Sequence, residues 1–556
     1  MGGAAGPGRA APLRDREGAR RAARRAERRA AWRAFGGCLA FRAANALLVR
    51  TAFVPDEYWQ SLEVAHDLVF GYGHRTWEWA PETALRSFAH PVLFAAPYAA
   101  LRLLGLDGTA LFVLAPRLLQ AALAAATDAL VYLLARRRFG PAAAEWALAC
   151  ELGNWFTFFC APRTLVNNLE ALAALAALLT WPAPGVALAL AGCLLRPSGA
   201  LLWVPLGLRE LRRQRRPGAF LLREVALPGA ALAAADFAFE SWMYGRWVFP
   251  PLRFLEFNVL RGGSAFYGVH PWHWYLTQGF PAMAASLLPL MAVGALRAED
   301  RTLAGVAAWG LAYHSCVPHK EFRFVLPSLH LLLPYAGVAC ERLFGPLGPL
   351  VRRAGVAPGP EGRPAGPRCG WRGPAGRRAL LLALVFLPQA GLAAYFAGWH
   401  QAGTIAVMHH LRREVQAGRV AESGGGVLFL TPCHATPLYS YVHAPVPLRF
   451  LDCSPPPPGR NPAAHRTEEA AFFAGPGAWL ERAFPRRLFG ALPPRTLPSH
   501  LVMFDPLEAE VRPFLRRHGY RRTWQAFHSH FAVDRGLQAR VLVYTRGGGG
   551  GGGGGG

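Results

Sequence analysis

The feature that most restricts the fold is a series of apolar runs, each about 17–25 residues long, recurring between residues 35 and 399. A helix of that length matches the roughly 30 Å hydrocarbon core of a bilayer. Arg clusters, Pro and Gly bound the runs. Hydrophobic residues make up 53% of the 556-residue chain and charged residues only 17%, too little polar surface to cover a soluble protein of this size. The pattern predicts an α-helical polytopic membrane protein.

The net charge of +26, from 60 Lys+Arg against 34 Asp+Glu, raises nucleic acid as a partner. The arginines argue against it. They gather in short segments at the ends of apolar runs, where the positive-inside rule retains loops in the cytosol. The bilayer, and no nucleic acid, is the expected partner. None of the nine cysteines has Cys-x-x-Cys spacing, so no zinc or redox motif is expected. Cys433 and Cys453 fall in a polar C-terminal region, where they either pair in an oxidising lumen or stay free. Residues 8–33 are rich in Arg and Ala and lack the apolar core of a cleavable signal peptide. Asp15, Glu17 and Glu27, with the apolar run behind them, favour a cytosolic tail over a mitochondrial presequence.

Threading by charge gives a cytosolic Arg-rich tail (1–34) and a transmembrane core (35–345) with a long first luminal loop (54–110). The run 88–106 goes to the luminal interface, because as a span it would carry Arg136, Arg137 and Arg138 into the lumen. A Pro/Gly/Arg-rich cytosolic linker (346–378) precedes a last span (379–399). Residues 400–546 read as a small luminal α/β domain with one strand-like run at 426–431, and 547–556 as a poly-Gly tail. The count is about eleven crossings.

This threading collects the acidic, His and aromatic stretches on one face. Asp56 and Glu57 follow the first span. Two adjacent carboxylates near low dielectric suit a general base, and equally suit a helix-capping pair. His319, Lys320 and Arg323 open a late span as a phosphate clamp, or as a loop with one Lys–Glu pair. Arg163, Arg196 and His270 fall on the same face. His270 and His273 have no carboxylate at ligand spacing, so no metal is expected. Trp77, Trp79, Trp272 and Trp274 read mainly as interfacial anchors, with sugar stacking the lesser reading.

The stretch Phe53-Val54-Pro55-Asp56-Glu57-Tyr58-Trp59-Gln60-Ser61-Leu62-Glu63 closely resembles the dolichyl-phosphate-mannose-dependent α-mannosyltransferases of the endoplasmic reticulum (glycosyltransferase family 22). So do Thr76-Trp77-Glu78-Trp79, Leu85-Arg86-Ser87, Ala115-Pro116-Arg117-Leu118, Arg163-Thr164-Leu165, Arg196-Pro197 and His319-Lys320-Glu321-Phe322-Arg323-Phe324. Within the family the likeness is greatest to members acting on GPI-anchor precursors, through Tyr58–Glu63 and the stretch from Thr431 to Ser440. The linker and the Gly tail match nothing in the family.

The resemblance implies a GT-C type fold and an inverting α1,2-mannosyl transfer from dolichyl-phosphate mannose to a GPI-precursor glycolipid in the ER lumen. No cofactor beyond the donor is implied. Asp56, with Glu57 second, is the expected base. Trp59, Gln60, Arg163, Arg196, His270, His319, Lys320 and Arg323 are the expected substrate-binding residues. A sibling transferase and a lipid-linked sugar transporter or scramblase are the rival readings.

Overall fold

The computed structural model describes residues 13–347, 374–420, 425–456, 465–485, 496–533 and 536–547. Most of the linker 346–378 and of the poly-Gly tail lies outside the described residues, as do residues 1–12.

Five described helices are long and apolar enough to cross a membrane: Leu111–Phe139, Pro217–Tyr244, Tyr275–Arg297, Phe322–Phe344 and Gly376–Gln416. Val166–Leu179 and Ala183–Leu195 are apolar but shorter. The apolar run 143–160 folds as two helices, Pro141–Gly153 and Trp155–Cys160. Asn154 divides them and caps the second, accepting from the Thr157 amide at 2.9 Å. The helix Leu13–Leu48 runs unbroken from the Arg-rich tail through the first apolar run. The chain is an α-helical multi-pass membrane protein. Helix contacts are close where side chains vanish: a Cβ on Gly337 would lie 2.5 Å from the Ala143 carbonyl oxygen.

Four helices of this core share a buried ionic knot. Arg42 of Leu13–Leu48 binds Asp128 of Leu111–Phe139 through two contacts of 2.7 and 2.8 Å. His330 of Leu326–Phe344 lies 2.9 Å from Glu151 of Pro141–Gly153, and Arg42 lies 3.8 Å from that same carboxylate. Charges in a bilayer core are tolerated when paired. Here the pairing fixes the relative depth of four helices.

The segment 88–106 forms the helix Ala89–Leu103. Its Phe94 and Tyr98 are fully buried in a core shared with Met408, Phe429 and Val543 of the C-terminal region. Its apolar run therefore serves a protein core.

The C-terminal region holds one five-stranded sheet: β1 (Val427–Leu430), β2 (Leu448–Phe450), β3 (His500–Phe504), β4 (Tyr520–Phe527) and β5 (Arg540–Arg546). The order is β2-β1-β3-β5-β4, parallel from β2 to β3 and antiparallel beyond. β1 and β3 are buried on both faces, which explains their unbroken apolar sequences.

Cys433 and Cys453 form a disulfide between the segments that follow β1 and β2. His434 lies beside them, but the bond consumes both sulfurs and leaves no thiolate for a metal. The bond closes a loop of 20 residues, for which a cross-link contributes about 3 kcal/mol. Replacing both cysteines by Ser should lower the unfolding temperature of this region. Thiol-reactive labelling of cysteines introduced into β3 would follow the change.

Candidate active site

The site begins where the first apolar run ends. Asp56 and Glu57 start a helical segment that continues as Tyr58–Leu62 and Glu63–Phe70. Consecutive helical side chains point about 100° apart, so the two carboxylates diverge. Glu57 turns inward, is 3% exposed, and accepts from Arg163 Nη1 at 2.7 Å. Arg163 is itself fully buried. It also donates to the carbonyls of Thr51 at 2.8 Å and Phe159 at 2.9 Å, and to the Thr51 hydroxyl at 3.1 Å. This buried pairing gives Glu57 a structural partner through Oε2. Asp56 turns outward, with 24% of its side chain exposed, and its Oδ2 lies 2.6 Å from Arg323 Nη1.

That contact joins the first loop to the His-Lys-Glu-Phe-Arg stretch more than 260 residues later. Glu321 is extended (φ −137°, ψ 152°) and immediately precedes the short helical turn Phe322–Val325 that carries Arg323. Glu321 accepts from Arg323 Nε at 2.7 Å and Nη2 at 2.6 Å. Arg323 thus bridges two carboxylates and orients Asp56. His319 places Nδ1 2.9 Å from the Gly268 carbonyl and Nε2 3.2 Å from Glu321. Both ring nitrogens face acceptors, an arrangement that favours the doubly protonated ring. Lys320 is 3% exposed and donates to the carbonyls of His270 at 3.0 Å and Val317 at 2.5 Å. No carboxylate pairs with it among the described residues. A covered ammonium without a counter-ion favours an anion beside it.

The remaining expected residues divide. Arg196 pairs with Glu170 at 3.1 Å, lies over the Phe324 ring, and falls within electrostatic range of Arg323 and Arg86. His270 is exposed, with its ring stacked on Trp274 at 4.6 Å, close to Lys320 and His319. Trp59 and Gln60 face protein. Trp59 donates to the Thr436 carbonyl at 3.1 Å and packs on His434 and Phe450. Gln60 donates to Glu78 at 3.3 Å. Three residues after Gln60, the buried Glu63 carboxylate accepts from the amides of Leu438, Tyr439 and Ser440 at 2.7, 2.9 and 3.2 Å. The C-terminal region is therefore clamped to the helix that carries Asp56.

Sequence reading missed Glu321, Glu78 and Arg86. Arg86 pairs with Glu78 and lies within electrostatic range of Asp56 and Arg323. The available signal for Glu321 was its place two residues before Arg323 at the start of the span.

Burial pushes the His319 ring down, but the Glu321 carboxylate and the Gly268 carbonyl outweigh it and raise the ring above the ordinary value. Burial would raise the Glu321 carboxyl, and Arg323 with His319 holds it below the usual range instead. The His319 contribution to stability is full below about pH 6.5 and is lost as pH rises through the raised folded value. The Glu321 contribution is present above about pH 4.3 and is lost as pH falls through its depressed value. The loop is therefore tightest between these limits. Glu321→Gln should lower the titration midpoint of His319, read by NMR of the labelled ring.

ArnT from Cupriavidus metallidurans, in the apo state, superposes with a TM-score of 0.52 at 15% identity, over 92% of this chain and 96% of that chain. Its complex with undecaprenyl phosphate gives 0.51 at 13% identity. The fold is of the GT-C type. In sequence, the chain is 37% identical to mannosyltransferase APTG1 of Arabidopsis thaliana, over 92% of each chain. It is 35% identical to GPI alpha-1,2-mannosyltransferase 3 of Homo sapiens, over 91% of this chain and 86% of that protein. It is also 35% identical to GPI mannosyltransferase 3 of Drosophila melanogaster, over 90% and 85%. The model of the Alg9-like mannosyltransferase family matches residues 34–443, and the chain belongs to that family. It is a mannosyltransferase, which sets aside the transporter and scramblase readings.

Proposed function

We propose that this enzyme transfers mannose from dolichyl-phosphate mannose to the second mannose of a GPI-anchor precursor, in α1,2 linkage, on the luminal face of the ER membrane. The names of the relatives support the acceptor and the linkage. The disulfide supports a luminal C-terminal region, since such bonds persist in oxidising compartments. ArnT, the GT-C relative in fold, binds a polyisoprenyl phosphate of the same chemical class as the donor lipid.

One observation carries the mechanism: Asp56 and the 319–323 loop meet through Arg323. The acceptor hydroxyl oxygen attacks the anomeric carbon from the face opposite the phosphate. The bond from that carbon to the phosphate oxygen breaks, and its electron pair leaves with dolichyl phosphate. Asp56 takes the hydroxyl proton and later returns it to water. Arg323 holds Oδ2, and the other carboxylate oxygen faces the acceptor. Lys320 receives the departing phosphate, because it is a covered cation of this loop with no carboxylate partner among the described residues, and Arg196 adds field from the Glu170 side. Arg163 and Glu57 hold the backbone beneath Asp56. Trp59 and Gln60 seat the helix, and His270 and His319 fix the loop around Lys320. Phosphate leaves as an anion, so no general acid is required on that side.

Purified protein supplied with dolichyl-phosphate mannose and GPI precursors of two or three mannoses tests the reading. Transfer to the two-mannose acceptor alone supports it. Transfer only to the three-mannose acceptor, or to an N-glycan precursor, assigns a sibling activity instead.

A further inference from the structure

A pocket of about 310 Å³ opens beside the first-loop turn Trp77–Trp79. That size lies at the low end for small-ligand sites, the scale of a single sugar ring or two. Arg75, Thr76, Trp77, Trp79, Met243 and Tyr244 line it. Two of these walls also support the surroundings of Asp56. Trp79 Nε1 donates to the Trp59 carbonyl at 3.3 Å, and the Tyr244 hydroxyl donates to the Arg86 carbonyl at 2.7 Å. Glu78, between the two tryptophans, pairs with Arg86, whose charge reaches Asp56. The pocket lining is thus hydrogen-bonded to the segments that surround Asp56.

The chemistry of the lining is specific. A pyranose has a C–H face, which an aromatic ring attracts, and a rim of hydroxyls that need hydrogen-bond partners. The pocket supplies the half-buried Trp77 ring, the partly exposed Arg75 guanidinium, which also pairs with Asp67, and the buried edges of Trp79 and Tyr244. Met243 and Tyr244 end the apolar helix Leu227–Tyr244, and the nearby Trp242 and Trp247 are strongly exposed, as at a membrane–water boundary. A glycolipid rooted in the bilayer passes its glycan across that boundary. The donor carries one sugar, and that sugar must sit at Asp56. Only the acceptor has further sugars to place elsewhere.

We propose that this pocket is a remote carbohydrate subsite that holds a sugar of the acceptor glycan upstream of the reacting mannose. This rests on the acceptor being a GPI-type glycolipid. Its test is steady-state kinetics of Trp77→Ala, Trp77→Phe and Arg75→Gln against two acceptors. One carries the full precursor glycan, and the other is a lipid bearing only the terminal mannose. For the full acceptor, Trp77→Ala should raise KM about tenfold, with a smaller rise for Trp77→Phe and no change in donor KM. For the truncated acceptor, wild type should already show the raised KM, and the variants should add nothing. Equal losses on both acceptors would overturn the subsite. If those losses vanish in lipid-free detergent, the pocket holds a bilayer headgroup. If they persist as a fall in kcat alone, Trp77 is structural. Failure of wild type to use either acceptor would instead refute the GPI reading, a result separate from these.

Discussion

Asp56→Asn should lower transfer about 10²–10⁴-fold, the range typical of losing a positioned general base. The substitution keeps size and polarity, so the helix start should persist. Asn cannot accept the acceptor proton, and its interaction with Arg323 loses its charge. Arg323 keeps Glu321 as a partner through both Nε and Nη2, so no buried cation is stranded. Donor and acceptor KM should change far less than kcat. Glu57→Gln should behave differently. It weakens the Arg163 contact and lowers thermal stability, with activity falling only as far as the fold loosens. Equal loss of kcat in the two variants at unchanged stability would contradict the division of roles.

Arg163→Ala should cost about 3–5 kcal/mol of stability, because it strands Glu57 as a buried charge. It also removes contacts to Thr51 and Phe159 that tie the end of the first apolar run to the helix Trp155–Cys160. Thermal unfolding in detergent, followed by native-gel retention, would read the loss. Pairing it with Glu57→Gln should recover part of the stability without restoring the Thr51 contacts. If Arg163→Ala unfolds like wild type yet binds donor poorly, Arg163 belongs with the phosphate instead.

Much of the plan was legible in local pattern. Apolar runs and Arg clusters announced a multi-pass core because bilayer thickness imposes a length that sequence must meet. The placement of 88–106 off the span count followed from Arg136–Arg138, whereas its true surroundings, a core with Phe429 and Val543, are long-range contacts with no local trace. One strand was readable at 426–431. The others were not singled out, since short strands such as Leu448–Phe450 carry little periodic signal. Asp56 and Glu57 are indistinguishable as neighbours in sequence, and only the helical turn between them sends one to Arg163 and the other to Arg323. Arg42, Asp128, Glu151 and His330 stand on four helices and were invisible as a group for the same reason. Lys320 could be nominated from its motif, but its lack of a carboxylate partner could not.

The most direct test asks which side of the membrane each half of the site faces. Single cysteines replacing Asp56 and Lys320, in a background without reactive thiols, would be challenged with an impermeant maleimide in sealed ER-derived vesicles. Both should be protected while the vesicles are sealed, and both should label once the lumen is opened. One labelled in sealed vesicles and the other only after opening would contradict a site built from Asp56, Arg323 and Lys320.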